Sequence, residues 1–116
     1  MKNIENIKLG INSTIKEALQ VINQGAIQIA LVVDDKDRLI GTLTDGDIRR
    51  GLLKNYALDD TINDLYFKNP ITSLNTESKD KIIQKAIKNQ IYQIPIVDKN
   101  NILVDIVNLA TLLKTT

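Results

Sequence analysis

The sequence has no cysteine, no histidine and no tryptophan, and only one phenylalanine and three tyrosines among its 116 residues. Each absence removes a class of chemistry. Without cysteine there is no disulfide, thiolate nucleophile or thiolate metal site, which fits a reducing compartment. Without histidine there is no imidazole base, no His–Asp pair and no zinc site of the usual kind. An excess of one charge is missing too: 15 basic and 14 acidic residues leave a net charge of +1. Lysine and aspartate are spread along the chain, so the basic face of a nucleic-acid binder is not expected. No apolar run approaches the roughly 20 residues that span a bilayer, and Met1–Gly10 lacks the basic and apolar regions of a signal peptide. The expectation is a cytoplasmic protein that binds neither nucleic acid nor membrane, built as one domain or as two small halves sharing a core.

What the sequence does contain is a repeat. Thr14–Gln24 carries Ile15, Ala18, Leu19 and Ile22 on one helical face, with Ser13 or Thr14 to cap it and Gly25 to end it. Ile27–Asp34 is β-branched and continuous, as in a buried strand. A polar turn, Asp35–Arg38, leads to a second strand over Leu39–Leu43, and Ile48, Leu52 and Leu53 then return to helical spacing. The second half repeats this order. Ile82, Ile83, Ala86 and Ile87 form a helical stripe behind Ser78; Ile91–Asp98 and Ile102–Val107 read as strands around a polar turn; Leu109–Leu113 reads as a short helix. A shift of 64 residues places Ala18-Leu19 on Ile82-Ile83, Ile27 on Ile91 and Val33-Asp34 on Val97-Asp98. One deletion in the second turn carries that register to the end. Such an internal duplication decides the architecture before any motif is weighed.

Between the halves, Asp60 or Thr61 is placed to cap a short helix through Ile62 and Leu65, which Pro70 ends. The link is therefore expected to be a structured crossover. A cleft between two similar halves is also where small ligands commonly sit.

The densest stretch is Gly41–Gly51, G-T-L-T-D-G-D-I-R-R-G. Thr44-x-x-Asp47 has the form of a capping box, in which the hydroxyl accepts from the amide three residues on and the acid reaches back. Asp45-Gly46 also fits a two-residue hairpin turn, although the spacing that follows is helical. The same geometry suits a ligand. A helix N-terminus favours phosphate, Thr44 adds a hydroxyl, and Gly41 permits close approach. Asp47 would repel a phosphate but suits a neutral diol such as ribose.

Two copies of this helix–strand–strand–helix pattern, the first closing on L-I-G-T-L-T-D-G-D-I, resemble a tandem pair of CBS domains, the Bateman module. The resemblance extends over the whole chain. It rests on Gly41, Thr44 and Asp47 as Gly-x-x-Thr-x-x-Asp, on Gln93-Ile94-Pro95 and on Asn69-Pro70-Ile71-Thr72. It implies an α/β (α+β) fold of two β-α-β-β-α units, residues 1–58 and 59–116, packed as a pseudo-two-fold pair around a central cleft. It also implies a regulatory module rather than an enzyme, needing no cofactor and sensing AMP, ADP, ATP or a related ligand. Its site would join Thr42, Thr44 and Asp47 of the first repeat to Ile71, Thr72, Ile91 and Tyr92 of the second. The isoleucines would wall a base, backbone groups near Thr72 and Tyr92 would read its edge, and Arg49 or Arg50 would reach a phosphate. By residue type alone, Ile71 and Ile91 are ordinary core residues and the arginines ordinary surface ones.

In the second repeat, Val104, Val107 and Ala110 fall where the motif has glycine, threonine and aspartate. A mirror site near Gln28 and Ile29 is therefore expected to be weak or empty. The first repeat further resembles the CBS pair preceding the catalytic domain of bacterial sugar-phosphate nucleotidyltransferases, which implies an attached or associated enzyme. Two rival functions stand beside the sensor. One is a dimerisation unit without ligand, since CBS pairs resemble discs that associate through their helices, which also implies a homodimer. The other is an enzyme using Asp45 and Asp47 with a divalent ion, for which no third acid converges.

Overall fold

The computed structural model describes residues 4–24 and 28–114. The chain divides into two compact units, Asn3–Pro70 and Ile71–Thr116. In the first, a short 3-10 turn over Ile4–Ile7 leads into β1 (Lys8–Gly10), α1 (Ile15–Gln24), β2 (Ile29–Val33), β3 (Leu39–Thr44) and α2 (Asp45–Leu53). The second contains β4 (Ser73–Leu74), α3 (Lys79–Asn89), β5 (Gln93–Val97), β6 (Leu103–Asn108) and α4 (Leu109–Lys114). Each unit is therefore β-α-β-β-α. Each sheet pairs its first strand parallel to its second and its second antiparallel to its third. A parallel pair needs a crossover, and α1 and α3 supply it.

Local signals start these elements. Thr14 caps α1 in a reciprocal box: the Glu17 amide donates to Thr14 Oγ1 (3.1 Å) and the Thr14 amide to Glu17 Oε1 (3.0 Å). Ser78 caps α3 by accepting from the Lys81 amide at 3.2 Å, and Gln90 ends it in the left-handed region. Gly25 and Ile27, expected at a helix end and a strand start, lie outside the described residues. Ile15, Ala18 and Ile22 pack with Ala30, Val32, Leu43, Ile48 and Ile62 to form the first core. The second core is smaller: Ile82, Ala86, Ile94 and Ile96. Burying each large aliphatic side chain contributes about 1.5–3 kcal/mol. Three residues of the expected stripes are solvated instead, Leu52 at 40%, Leu53 at 78% and Ile87 at 60% exposure.

The repeat register holds at 64 residues throughout, so the deletion expected in the second turn is absent. Leu9 pairs with Val32 as Ser73 does with Ile96, and Thr44 with Ile29 as Asn108 does with Gln93. Both hairpins carry their irregularity at the same place, Val32/Val33 and Ile96/Val97. The counterparts of Gly41, Thr44 and Asp47 are thus Asp105, Asn108 and Thr111, not Val104, Val107 and Ala110.

The connection also differs from expectation. No helix forms through Ile62 and Leu65. The segment is a strap of turns whose polar groups bond to the body of the first unit: the Ile62 amide to Ser13 O (3.0 Å), the Ile15 amide to Asp60 O (2.9 Å), and Phe67 to Thr42 in an antiparallel bridge. Ile62 is fully buried by it. Two glycines accommodate the strap. A Cβ on Gly41 would strike the Tyr66 ring and lie 2.7 Å from Phe67 O; one on Gly51 would lie 2.7 Å from a Leu65 methyl. The close approach that Gly41 permits is by the chain itself.

Candidate ligand-binding site

Thr44 ends β3 and caps α2 from an extended conformation (φ −111°, ψ 167°). The Asp47 amide donates to Thr44 Oγ1 at 3.3 Å, and the Thr44 amide donates to Asp47 Oδ2 at 2.9 Å. The Thr44 hydroxyl also donates to Asp47 Oδ2, at 3.0 Å. The capping box is therefore formed, and the Asp45-Gly46 hairpin is not. Asp47 Oδ1 accepts from Arg50 Nη2 at 2.7 Å, and Asp45 pairs with Arg49 one turn on. Two acids in the first turn suit the helix dipole, and the arginines balance their charge.

This arrangement has a chemical consequence. The Asp47 side chain is 19% exposed while its Arg50 partner is 67% exposed. Exposed pairs of this kind contribute little, so exchanging Arg50 for a ligand's hydroxyls at Asp47 Oδ1 costs little. The cap and a diol site are compatible in one residue because they use different carboxylate oxygens.

Thr42 lies two residues back on the same face of β3. Its amide donates to Phe67 O (3.1 Å) and its carbonyl accepts from the Phe67 amide (2.8 Å), so its backbone is committed to the strap. In the second unit, Ile71 and Thr72 lead into β4, and Ile91 and Tyr92 lead into β5. These strands are parallel neighbours, so both pairs enter from one end of the second sheet. Thr72 O accepts from Lys85 Nζ at 2.8 Å, and Tyr92 O from the Leu109 amide at 2.7 Å. Ile91 packs against the second core, whereas the Tyr92 side chain is 76% exposed.

Within the first unit, Leu19, Ile22, Asn23, Gln28 and Asp45 line a cavity of about 300 Å³. Sequence reasoning assigned Gln28 to a mirror site and passed over Asn23; the available signal was a polar residue closing an otherwise apolar helix face. Asp34 is held below the ordinary carboxylate range chiefly by the Arg38 amide, and it sits at the far end of the β2–β3 hairpin from Thr44.

Residues 2–54 match the family model of the CBS domain. The CBS domain pair of protein MJ0100, solved with 5′-methylthioadenosine and S-adenosyl-L-methionine, is 29% identical, with a TM-score of 0.79 over 93% of this chain and 85% of that one. The fold is that of a tandem CBS pair. A CBS domain protein from Pyrobaculum aerophilum, solved with AMP, covers the whole chain and 92% of its own at a TM-score of 0.80 and 20% identity, a likeness of fold alone. Among curated sequences, an inosine-5′-monophosphate dehydrogenase of Methanocaldococcus jannaschii is 26% identical over 111 residues, 93% of this chain. The chain spans only 21% of that relative, and about a third or less of the next two. Thr44 caps α2 and Asp47 stands in its first turn, and Asn108 and Thr111 hold the same register positions at α4.

Proposed function

We propose that this CBS pair is a regulatory module that binds an adenine nucleotide or related adenosyl ligand and tunes an enzyme attached to it or associated with it. The single observation that carries the reading is the convergence of Thr44 and Asp47 at the head of α2, in a fold whose solved relatives hold AMP or S-adenosyl-L-methionine. We assign the ribose hydroxyls to Asp47, the phosphate end to Thr44 and Arg50, and a polar contact to Thr42. Ile71, Thr72, Ile91 and Tyr92 of the second repeat are assigned to the base, with repeats spanning 1–58 and 59–116. The regulated enzyme is proposed to be a cytoplasmic sugar-phosphate nucleotidyltransferase. Titration with AMP, ADP and ATP followed by thermal melting tests the module: ligand at about 100 times its dissociation constant adds about 2.7 kcal/mol of stability. A melting temperature indifferent to all three removes the sensor.

A second reading is a homodimeric scaffold. Leu52, Leu53 and Leu113 are exposed on α2 and α4, apolar surface that a partner copy would bury. Equilibrium sedimentation tests it, and a monomer at all concentrations removes it.

A further inference from the structure

Phe67 is the only phenylalanine of the chain, and it is 54% exposed although its backbone is fixed. Both of its main-chain hydrogen bonds go to Thr42, at 3.1 and 2.8 Å. Residues directly opposite in an antiparallel pair project from the same face, with their Cβ atoms about 4.5–5.5 Å apart. Thr42 is likewise opposite Leu31. Leu31, Thr42 and Phe67 therefore form one row, running from a buried centre to an exposed edge. Strand alternation identifies the face. Leu43 enters the core with Ile15 and Ile48, so Thr42 and Thr44 take the opposite side, and Phe67 joins them.

Neighbouring aromatic groups are committed elsewhere. The Tyr66 ring lies against Gly41, with Lys68 Nζ 5.7 Å above it. Phe67 has no such place in the core, and the strap already fixes its position. Two residue rises, about 6.6 Å, separate the Thr42 row from Thr44 at the head of α2.

We propose that Phe67 is the stacking residue of the ligand site, its ring receiving the flat base of a ligand whose ribose hydroxyls reach Asp47. This deepens the ligand-binding reading and rests on it. An aromatic face accepts any base, so Phe67 supplies affinity for the ring system and leaves the choice of base to edge contacts.

The chain has no tryptophan, so Phe67→Trp installs a sole reporter at this position. AMP is expected to quench its emission saturably, while ribose 5-phosphate, which lacks the base, leaves it unchanged. Phe67→Leu keeps the apolar bulk and the strand bridge but has no π face. By calorimetry it is expected to lose about 5- to 100-fold in AMP affinity, with an unchanged melting temperature. If the unaltered chain binds AMP, Phe67→Leu binds it equally well and the tryptophan stays silent, the stacking role is overturned and the ligand-binding reading stands. If the unaltered chain binds none of AMP, ADP and ATP, that reading fails and the stacking role falls with it.

Discussion

Asp34 and Asp98, 64 residues apart, build the same turn. Asp34 Oδ1 accepts from the amides of Lys36 and Arg38, both at 2.9 Å; Asp98 Oδ1 accepts from those of Asn100 and Ile102, at 2.8 and 3.0 Å. The third residue after each, Asp37 or Asn101, adopts φ 66°. Aspartate and asparagine tolerate that region better than most side chains. The two hairpins are thus equivalent residue by residue, which makes Asn108 the counterpart of Thr44.

From that equivalence follows a prediction for the second unit. Asn108 Oδ1 accepts from the Ala110 amide at 2.9 Å, so it caps α4 as Thr44 caps α2. Asn108→Ala should cost about 1 kcal/mol, read from the midpoint of urea unfolding. An unmoved midpoint would remove the cap role.

For Asp47→Ala two readouts are expected to move. Loss of the capping box should lower stability by about 1 kcal/mol. Loss of a charged hydrogen bond to the ligand should weaken adenylate binding by about 1.5–3 kcal/mol. Lost stability with unchanged binding would leave Asp47 as a cap alone.

Gly41→Ala is expected to destabilise the first unit by about 1–3 kcal/mol through overpacking against Tyr66 and Phe67 O. Amide exchange should quicken at Thr42 and Phe67, whose mutual bonds the strap maintains. Protection that persists at both amides would show that the strap shifts at little cost.

Ser73→Ala should stabilise the second unit. Ser73 is 1% exposed and its hydroxyl has no partner among the described residues, at the position where the first unit has buried Leu9. Removing an unsatisfied buried hydroxyl should raise stability by about 1 kcal/mol. A lower midpoint would mean that the hydroxyl is already satisfied.

Stability is expected to fall in acid through two turns. The Arg38 amide, aided by the Arg38 side chain, holds Asp34 low, and the Leu74 amide, aided by Lys85, does the same for Glu77. A carboxyl lowered in the folded state contributes fully above its unfolded pKa, about 4. That contribution drains away as pH falls through the lower folded value. Melting temperatures measured from pH 7 to pH 2 should drop along this limb, and Asp34→Asn should flatten it. An equally steep limb in Asp34→Asn would exclude Asp34 as a source.

The elements with strong periodicity were legible in the sequence: Ile15, Ala18 and Ile22 announce α1, and the apolar run to Val33 announces β2. At three and two residues, β1 and β4 are too short to show alternation; the family resemblance implied them. Ile62 and Leu65 have helical spacing, yet their segment finds its hydrogen-bond partners in Ser13 and Thr42. Tertiary contacts overrode the local pattern there. In the polar second turn, one-residue shifts look alike by residue type, and only strand pairing distinguishes 63 from 64. The Thr44–Asp47 box was legible from its spacing because its bonds are local. The reason for Gly41 was not, since Tyr66 reaches it from another part of the chain.

The Thr42–Phe67 bridge has one more effect. A sheet's last strand ordinarily offers its bare amides and carbonyls to any passing extended peptide. At the middle of β3 both groups of Thr42 are already taken by the protein's own strap. The first unit thereby resists edge-on polymerisation there, and breaking the bridge at Phe67 would open that stretch of edge.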